Sequence, residues 1–450
     1  MRFDGQLSDR AVAQRRRQSM SNVGRVVIGS VLFLIPLIAR YVHQEYRAPA
    51  GTTEGWWPYL LLGVLAVLAA GLLESPPITS STSRVFVNAA STGLLVLVAA
   101  ATSQVVVPES LPRFVMVFTG FCVFVWILLV GAFFAIRTRR RGGGTRVVAV
   151  INPKDAAQLE LDSAEGPWEE RFHLIAVLTD ERDFDSLSDV FAEGHANTLV
   201  LGPVASVHPV VVSQAEALHQ AGARVRSLDN FYDQVLGRLP LSTLDRFALM
   251  GDIESLHGAY APLKRALDLV LAFIGMIALG VALPFVIIGN LIANRGPLFF
   301  SQRRVGRHGE EFEIVKFRSM SPGAVDISGW TSNDDPRITA FGKLLRRTHL
   351  DELPQVINIF RGELSVVGPR PEQVEYARRL AEALPFYNAR HLVRPGLTGW
   401  AQVRYQYAAS EEDAYVKLQF DLHYVRHESL VTDVRIIWLT FHHLLLDGGR

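Results

Sequence analysis

Five apolar stretches constrain how this chain can fold. Four precede Arg137: approximately Val26 to Tyr41, Trp57 to Leu73, Phe86 to Val107 and Phe114 to Ile136. The fifth runs from Ala266 to Ile292. A helix needs roughly 20 predominantly apolar residues to cross a bilayer, so the first four predict four transmembrane helices over residues 25–137. The third run carries Asn88, Ser91, Thr92, Thr102 and Ser103 and is the most polar, so a buried core helix is its competing reading. Arg10, Arg15, Arg16, Arg17 and Arg25 lie before this block, the first four in a basic tail over residues 1–24. Arg137, Arg139, Arg140, Arg141 and Arg146 follow it, while the intervening loops hold only scattered residues such as Arg47, Arg84 and Arg113. The positive-inside rule then predicts both ends on the cytoplasmic side. Trp56, Trp57 and Tyr59 fall where an interfacial aromatic belt is expected. A cleaved signal peptide is not expected, because a long basic tail comes first and more apolar runs follow.

The fifth stretch is flanked by positive charge on both sides. Lys264 and Arg265 precede it; Arg295, Arg303, Arg304 and Arg307 follow it. The same rule keeps both ends on one face. Pro284 lies near its middle, and an interior proline removes a hydrogen bond and kinks the helix. A re-entrant helix over about residues 264–293, broken at Pro284, satisfies both facts. An ordinary proline-kinked span is the alternative. Asp268 stands one turn after Lys264 and is expected to pair with it or to sit at the interface.

Outside these stretches the chain reads as soluble. Its 450 residues suffice for two or three folded units. The formal net charge of +1 gives no reason to expect a nucleic-acid partner. Cys122 is the single cysteine, so no internal disulfide forms. After the basic, glycine-rich hinge at Arg141–Gly144, short apolar runs at Val147–Ile151, Leu174–Leu178 and Thr198–Leu201 read as buried strands. They alternate with helical patterns at Ser188–Glu193 and Val211–Ala221. That alternation predicts a Rossmann-like parallel α/β domain over residues 145–250. Asn152-Pro153-Lys154-Asp155 follows the first strand in place of a glycine-rich fingerprint, which favours a structural or regulatory module over a dinucleotide site.

The polar motifs concentrate between Gly296 and Val403. Lys316-Phe317-Arg318-Ser319-Met320 follows the strand-like Phe312–Val315, and a basic amphipathic helix is predicted over Arg337–Arg347. Thr348-His349-Leu350-Asp351-Glu352-Leu353-Pro354-Gln355 comes next. Arginine forks and lysine suit phosphate oxygens. Thr348 is placed to cap a succeeding helix with Asp351 at its third position. A helix N-terminus and nearby arginines are expected to favour the ionised form of Asp351. An ionised aspartate can act as a covalent nucleophile, and a neighbouring glutamate can help hold magnesium. Taken alone, an Asp-Glu pair before Leu-Pro is also the mark of a capped, solvated helix start.

Taken together, several motifs give a resemblance covering a little under half the chain. They are Lys264-Arg265-x-x-Asp268, Pro284, Gln302-x-Arg304-x-Gly306, Lys316-Phe317-Arg318-Ser319-Met320 and Leu350-Asp351-Glu352-Leu353-Pro354-Gln355. Gly368-Pro369-Arg370-Pro371 and Arg394-Pro395-Gly396-Leu397-Thr398-Gly399-Trp400-Ala401-Gln402-Val403 complete the set. The region from about Leu263 onward resembles the bacterial sugar transferases, polyprenyl-phosphate hexose-1-phosphate transferases. With the preceding helices and middle domain, it resembles their long form, which includes undecaprenyl-phosphate glucose phosphotransferases.

The resemblance implies a membrane α-helical bundle, a Rossmann-like domain and a monotopic, α-rich catalytic domain over residues 256–450 with a re-entrant helix. It implies Asp351 as nucleophile, Glu352 as its catalytic partner near Mg2+, and substrate-phosphate contacts from Lys316, Arg346 and Arg370; Arg318, within the same motif, is placed with them. UDP-sugar, with UDP-glucose foremost, and undecaprenyl phosphate are the implied substrates at the cytoplasmic face of a bacterial inner membrane. No motif specifies the sugar, and oligomeric state is left open. Leu283 and His349 depart from the family pattern, where serine is common. Rival readings are a glycosyltransferase using Asn333-Asp334-Asp335, which would release UDP, and a non-enzymatic membrane scaffold.

Overall fold

The computed structural model describes residues 29–45, 57–72, 89, 92–93, 96–97, 100, 112–140, 145–164, 172–244, 246–294, 296–321, 337–405 and 411–446. The chain divides into two compact units, Met1–Phe231 and Tyr232–Arg450. It is mostly helical, with some parallel sheet.

In the first unit the apolar runs form helices over 29–45, Trp57–Leu72 and Arg113–Arg140. The described residues of the third run, at positions 89, 92, 93, 96, 97 and 100, are also helical. One core joins all four pieces, including Leu32, Ile35, Leu62, Val96, Val123 and Ile127. Gly93 and Gly120 let two of these backbones approach closely, since a Cβ on Gly93 would sit 2.9 Å from the Gly120 carbonyl oxygen. Tyr59 departs from its expected place in an aromatic belt. It is fully buried, with the Arg40 guanidinium 5.6 Å from its ring centre. A ring inside the core gains both apolar burial and a cation–π contact. Trp56 lies outside the described residues.

The rest of this unit contains a four-stranded parallel sheet in the order β2-β1-β3-β4. Its strands are β1 (Thr145–Val150), β2 (Phe172–Leu178), β3 (Thr198–Leu201) and β4 (Arg224–Ser227). The first three were legible as apolar runs. The fourth, Arg-Val-Arg-Ser, lies at the sheet edge, where charged side chains reach solvent. Where a glycine-rich loop would stand, Asn152 accepts a 2.9 Å hydrogen bond from the Asp155 amide and opens the helix Pro153–Ala164.

The second unit begins at Tyr232, ahead of the boundary expected at 250–256. The reason is packing. Arg238 lies over the rings of Tyr232 and Phe420, and Trp400 donates a 2.7 Å hydrogen bond to the Gly237 carbonyl. The unit is organised around one long helix, Arg246–Gly289. Among the described residues two helical stretches are long and apolar enough to cross a membrane, Arg113–Phe133 and Tyr260–Asn294. Lys264, Asp268, Ala272, Leu279, Val286 and Asn290 form one buried stripe of the long helix, at helical spacing. Leu279 and Val286 pack with Phe317, Leu345 and Val356; Ala272 packs with Ile359 and Leu364. The opposite face exposes Phe273, Ile277, Val281, Phe285, Ile288 and Ile292.

Helical structure continues through Pro284 and widens to a π-turn only at Asn290–Asn294, six residues beyond the expected break. A proline removes a single hydrogen bond, which a helix packed on both sides of it tolerates. Asp268 is also corrected. It does not pair with Lys264 but is fully buried, taking 2.9 Å hydrogen bonds from the Ser365 hydroxyl and the Val366 amide. Lys264 instead pairs with Asp433 at 2.5 Å and Glu428 at 3.4 Å. Lys264 is thus charge-paired, whereas Asp268 is held by hydrogen bonds to one of its two carboxylate oxygens.

Candidate active site

The site is assembled from four short elements around the long helix. An antiparallel hairpin comes first: β5 (Phe299–Val305) and β6 (Glu311–Phe317), with Lys316 opposite Phe300. The side chain of Asn358, in the helix Val356–Arg361, locks that helix to β6. Its carbonyl oxygen accepts from the Val315 amide at 3.1 Å, and its amide donates to the Glu313 carbonyl at 2.7 Å.

The basic helix is Ala340–Arg347, shorter than the predicted 337–347, because Thr339 caps it through a 2.9 Å bond from the Gly342 amide. Thr348 does not cap the next helical turn. Its hydroxyl donates back to the carbonyls of Leu344 and Leu345, closing the helix just ended. The chain then turns through His349, which adopts a left-handed conformation at φ 56°. A 3-10 helix, Leu350–Gln355, carries Asp351 and Glu352.

The last element joins two of the sequence motifs backbone to backbone. β7 (Ser365–Val367) pairs in parallel with β8 (Gly396–Thr398). A Cβ on Gly396 would collide with the Gly368 nitrogen, so that position admits only glycine. This contact fixes the loop bearing Arg370. Arg390 braces the same loop, donating 3.0 Å to the Arg370 carbonyl while paired at 2.7 Å with the buried Asp421. Sequence reasoning missed Arg390 and Asp421. Neither stands in a recognisable motif, and Asp421 is flanked by Phe420 and Leu422 in a helix of mixed polarity.

These elements bring Lys316, Glu352 and Arg370 together. Glu352 Oε1 accepts from Lys316 Nζ at 2.9 Å and from an Arg370 guanidinium nitrogen at 3.1 Å. Burial alone would raise the Glu352 carboxyl, but Arg370 and Lys316 outweigh it and hold it well below the usual carboxylate range. Burial lowers Lys316 from its ordinary value, with Glu352 opposing and Arg370 reinforcing the shift.

Asp351 behaves oppositely, contrary to the expectation that its ionised form is favoured. Burial and then the Glu352 charge raise its pKa; Lys316, Arg346 and His349 pull it down without prevailing. Glu352, meanwhile, takes the hydrogen bonds of both Lys316 and Arg370. Among the described residues the Asp351 carboxylate accepts none. Arg346 acts on Asp351 through charge, while its Nε is bonded to the Ser319 hydroxyl at 3.0 Å.

Arg318 has a different task from the one expected. Its buried guanidinium donates to Pro297 O at 2.7 Å and to Asn290 Oδ1 and Asn294 O, both at 3.3 Å. It thereby closes the C-terminal end of the long helix rather than joining Lys316 and Arg370. Several other motif residues are also framework. Arg265 caps the helix Val356–Arg361 by donating to the Ile359 and Phe360 carbonyls at 2.7 and 2.8 Å. Arg304 donates 3.3 Å to Pro371 O, and Arg394 donates 3.1 Å to Gly362 O. Asn333, Asp334 and Asp335 lie outside the described residues.

The arrangement combines a carboxylate of raised pKa with a neighbour hydrogen-bonded to two cations. Both cations engage one oxygen of Glu352, which leaves its Oε2 and the Asp351 carboxylate as oxygen donors of the type a hard cation takes.

A family model described as bacterial sugar transferase matches residues 259–447. The chain is 30% identical over 321 residues to a UDP-glucose:undecaprenyl-phosphate glucose-1-phosphate transferase of Escherichia coli, covering 67% of this chain and 68% of that protein. It is 37% identical to a UDP-N-acetylgalactosamine-undecaprenyl-phosphate N-acetylgalactosaminephosphotransferase of Aeromonas hydrophila, covering 42% and 45% of the two chains. It is 42% identical to a UDP-glucose:undecaprenyl-phosphate glucose-1-phosphate transferase of Xanthomonas campestris, covering 39% and 37%. The match thus spans under half the length of the Aeromonas and Xanthomonas relatives and about two thirds of the E. coli one. On the long E. coli match and the motif-bearing unit just described, this chain belongs to the bacterial sugar transferase family.

Proposed function

We propose that the chain transfers a sugar 1-phosphate from a UDP-sugar to undecaprenyl phosphate, the first membrane step of a polysaccharide pathway. The observation that carries this reading is Asp351, raised in pKa beside a Glu352 clamped by Lys316 and Arg370. A carboxylate whose ionised form is less stabilised is more basic, and so a stronger nucleophile once ionised.

In the first step an Asp351 oxygen attacks the sugar-linked phosphorus of the donor. The bond from that phosphorus to the bridging oxygen breaks, and UMP leaves with the electron pair. In the second step a phosphate oxygen of undecaprenyl phosphate attacks the same phosphorus. The Asp351 carboxylate departs, leaving a polyprenyl diphosphate sugar. Lys316 and Arg370 offset charge on the transferring phosphoryl oxygens, and Arg346 lies within electrostatic reach of Asp351. Mg2+, when held by Asp351 and Glu352, would neutralise phosphate oxygens of the donor.

The location we infer is the cytoplasmic face of the inner membrane, with the helices of the first unit as a multi-pass anchor. The long helix is proposed to lie shallowly in the inner leaflet with both of its ends on the cytoplasmic side. Its buried stripe from Lys264 to Asn290 extends roughly 39 Å at about 1.5 Å per residue. One face is therefore packed on a polar, charged domain over more than the ~30 Å of a hydrocarbon core. That supports a shallow path. Basic residues at both flanks support it too.

Membranes containing the chain, screened with nucleotide sugars, should release UMP in a manner that requires polyprenyl phosphate for multiple turnovers. UDP as the nucleotide product would overturn the phosphotransferase reading in favour of simple glycosyl transfer. The relatives named for glucose and N-acetylgalactosamine make those two donors the first to compare.

A further inference from the structure

A second cluster of ligating side chains lies in the same unit and shares no residue with the site around Asp351. His423 and His427 stand one helical turn apart, at and just past the end of the helix Glu411–Arg426. The His427 amide still bonds to the His423 carbonyl at 3.0 Å, which keeps both rings on one face. The third member, Asp233, comes from the π-turn Tyr232–Leu236, far away in sequence. His423 Nδ1 is 2.8 Å from Asp233 Oδ1, and His427 Nε2 is 2.9 Å from the same oxygen and 3.2 Å from Oδ2.

Three ligand atoms thus converge within 4.8 Å of one another. Ligands at about 2.0–2.1 Å from a tetrahedral ion stand roughly 3.3 Å apart, so small side-chain movements would admit one. Two imidazoles and one carboxylate form a donor set for a borderline first-row ion, with zinc as the natural probe, and leave a fourth position open. His423 and Asp233 side chains are 15% exposed and His427 is 42% exposed, so the open side faces solvent.

The surroundings hold the ligands in place. Trp400 stacks on His423 with ring centres 5.8 Å apart, and its indole N–H donates to Gly237 O at 2.7 Å, four residues beyond Asp233. One indole therefore braces both ligand-bearing segments. Arg404 and Arg435 lie over that indole at 4.3 and 5.4 Å.

We propose that Asp233, His423 and His427 form a structural site for a divalent transition-metal ion, tying the segment ahead of the long helix to the C-terminal helices of the catalytic unit. The competing arrangement is purely hydrogen-bonded, with both imidazole N–H groups donating to Asp233.

The test uses full-length, detergent-solubilised protein, stripped with chelator and dialysed against Zn2+ or Co2+. The wild type should retain about one ion per chain and show the visible absorption of a tetrahedral Co2+ centre. Its thermal midpoint should rise with Zn2+. His427→Gln keeps a hydrogen-bond donor for Asp233 but removes the ring nitrogen, so it separates the two arrangements. It and Asp233→Asn should each weaken ion binding at least ~10-fold, the loss seen even for outer-shell partners. Failure of the wild type to retain an ion above the level of the Asp233→Asn/His427→Gln double variant would overturn the proposal. So would a His427→Gln variant whose Zn2+ affinity and thermal response match the wild type, and either result would leave the hydrogen-bonded arrangement.

Discussion

Glu352 accepts two cations at one oxygen, whereas Asp351, the preceding residue, accepts no hydrogen bond among the described residues. The asymmetry has a pH consequence. In the proposed mechanism only ionised Asp351 attacks, so turnover should rise with pH through its pKa. That pKa is raised, which places the acid limb of kcat/KM above the ordinary aspartate value of about 3.9. Glu352→Gln removes a neighbouring negative charge and frees Lys316 and Arg370 to act on Asp351, so the limb should move to lower pH. Turnover should also fall by about 10²-fold or more as the ordered pair is lost. A pH–rate profile of both proteins checks this; a limb that moves upward contradicts the assignment. The neighbouring His349 offers a stability test. Its left-handed backbone tolerates histidine but not a β-branched residue, so His349→Val should cost about 1–2 kcal/mol in denaturant unfolding. The sequence singled out Asp351 and Glu352 as candidates, because they stand in a recognisable motif. It did not show which of the two would be neutralised, since Lys316 and Arg370 arrive from elements 36 and 18 residues away.

At the scale of elements, the motif glycines are explained by approach rather than by flexibility. Gly368 and Gly396 bring two loops into backbone contact and hold Arg370 in place. Gly396→Ala should therefore destabilise the unit by roughly 1–3 kcal/mol and lower turnover together, because the new methyl meets backbone that cannot shift freely. Calorimetry and UMP release on one preparation would show whether the two losses track. Apolar runs made β1 to β3 and the part of the long helix beyond about residue 264 legible, and an amphipathic pattern did so for the basic helix. β4 was missed because Arg224 and Arg226 break its apolar run. The motif arginines were legible as important but not as to task. Arg346 and Arg370 bear on the acidic pair, whereas Arg265, Arg304, Arg318 and Arg394 hold backbone carbonyls. Both tasks need the same guanidinium, and only the fold assigns its partner.

For the whole molecule, the decisive arrangement is a long helix with one face packed on the catalytic elements and the other apolar and exposed. If it enters and leaves one leaflet, residues at either end share a side. In a Cys122→Ala background, Ala261→Cys and Ser301→Cys should both react with an impermeant maleimide only from the cytoplasmic side. Labelling of Ser301→Cys from outside would remove the shallow path. The covalent step is open to direct view. Purified protein given UDP-sugar without undecaprenyl phosphate should gain the mass of one phospho-sugar, lost again when acceptor is added. Asp351→Asn should gain none. An adduct of equal yield on Asp351→Asn, or a turning-over wild type that never carries one, would contradict Asp351 as the nucleophile.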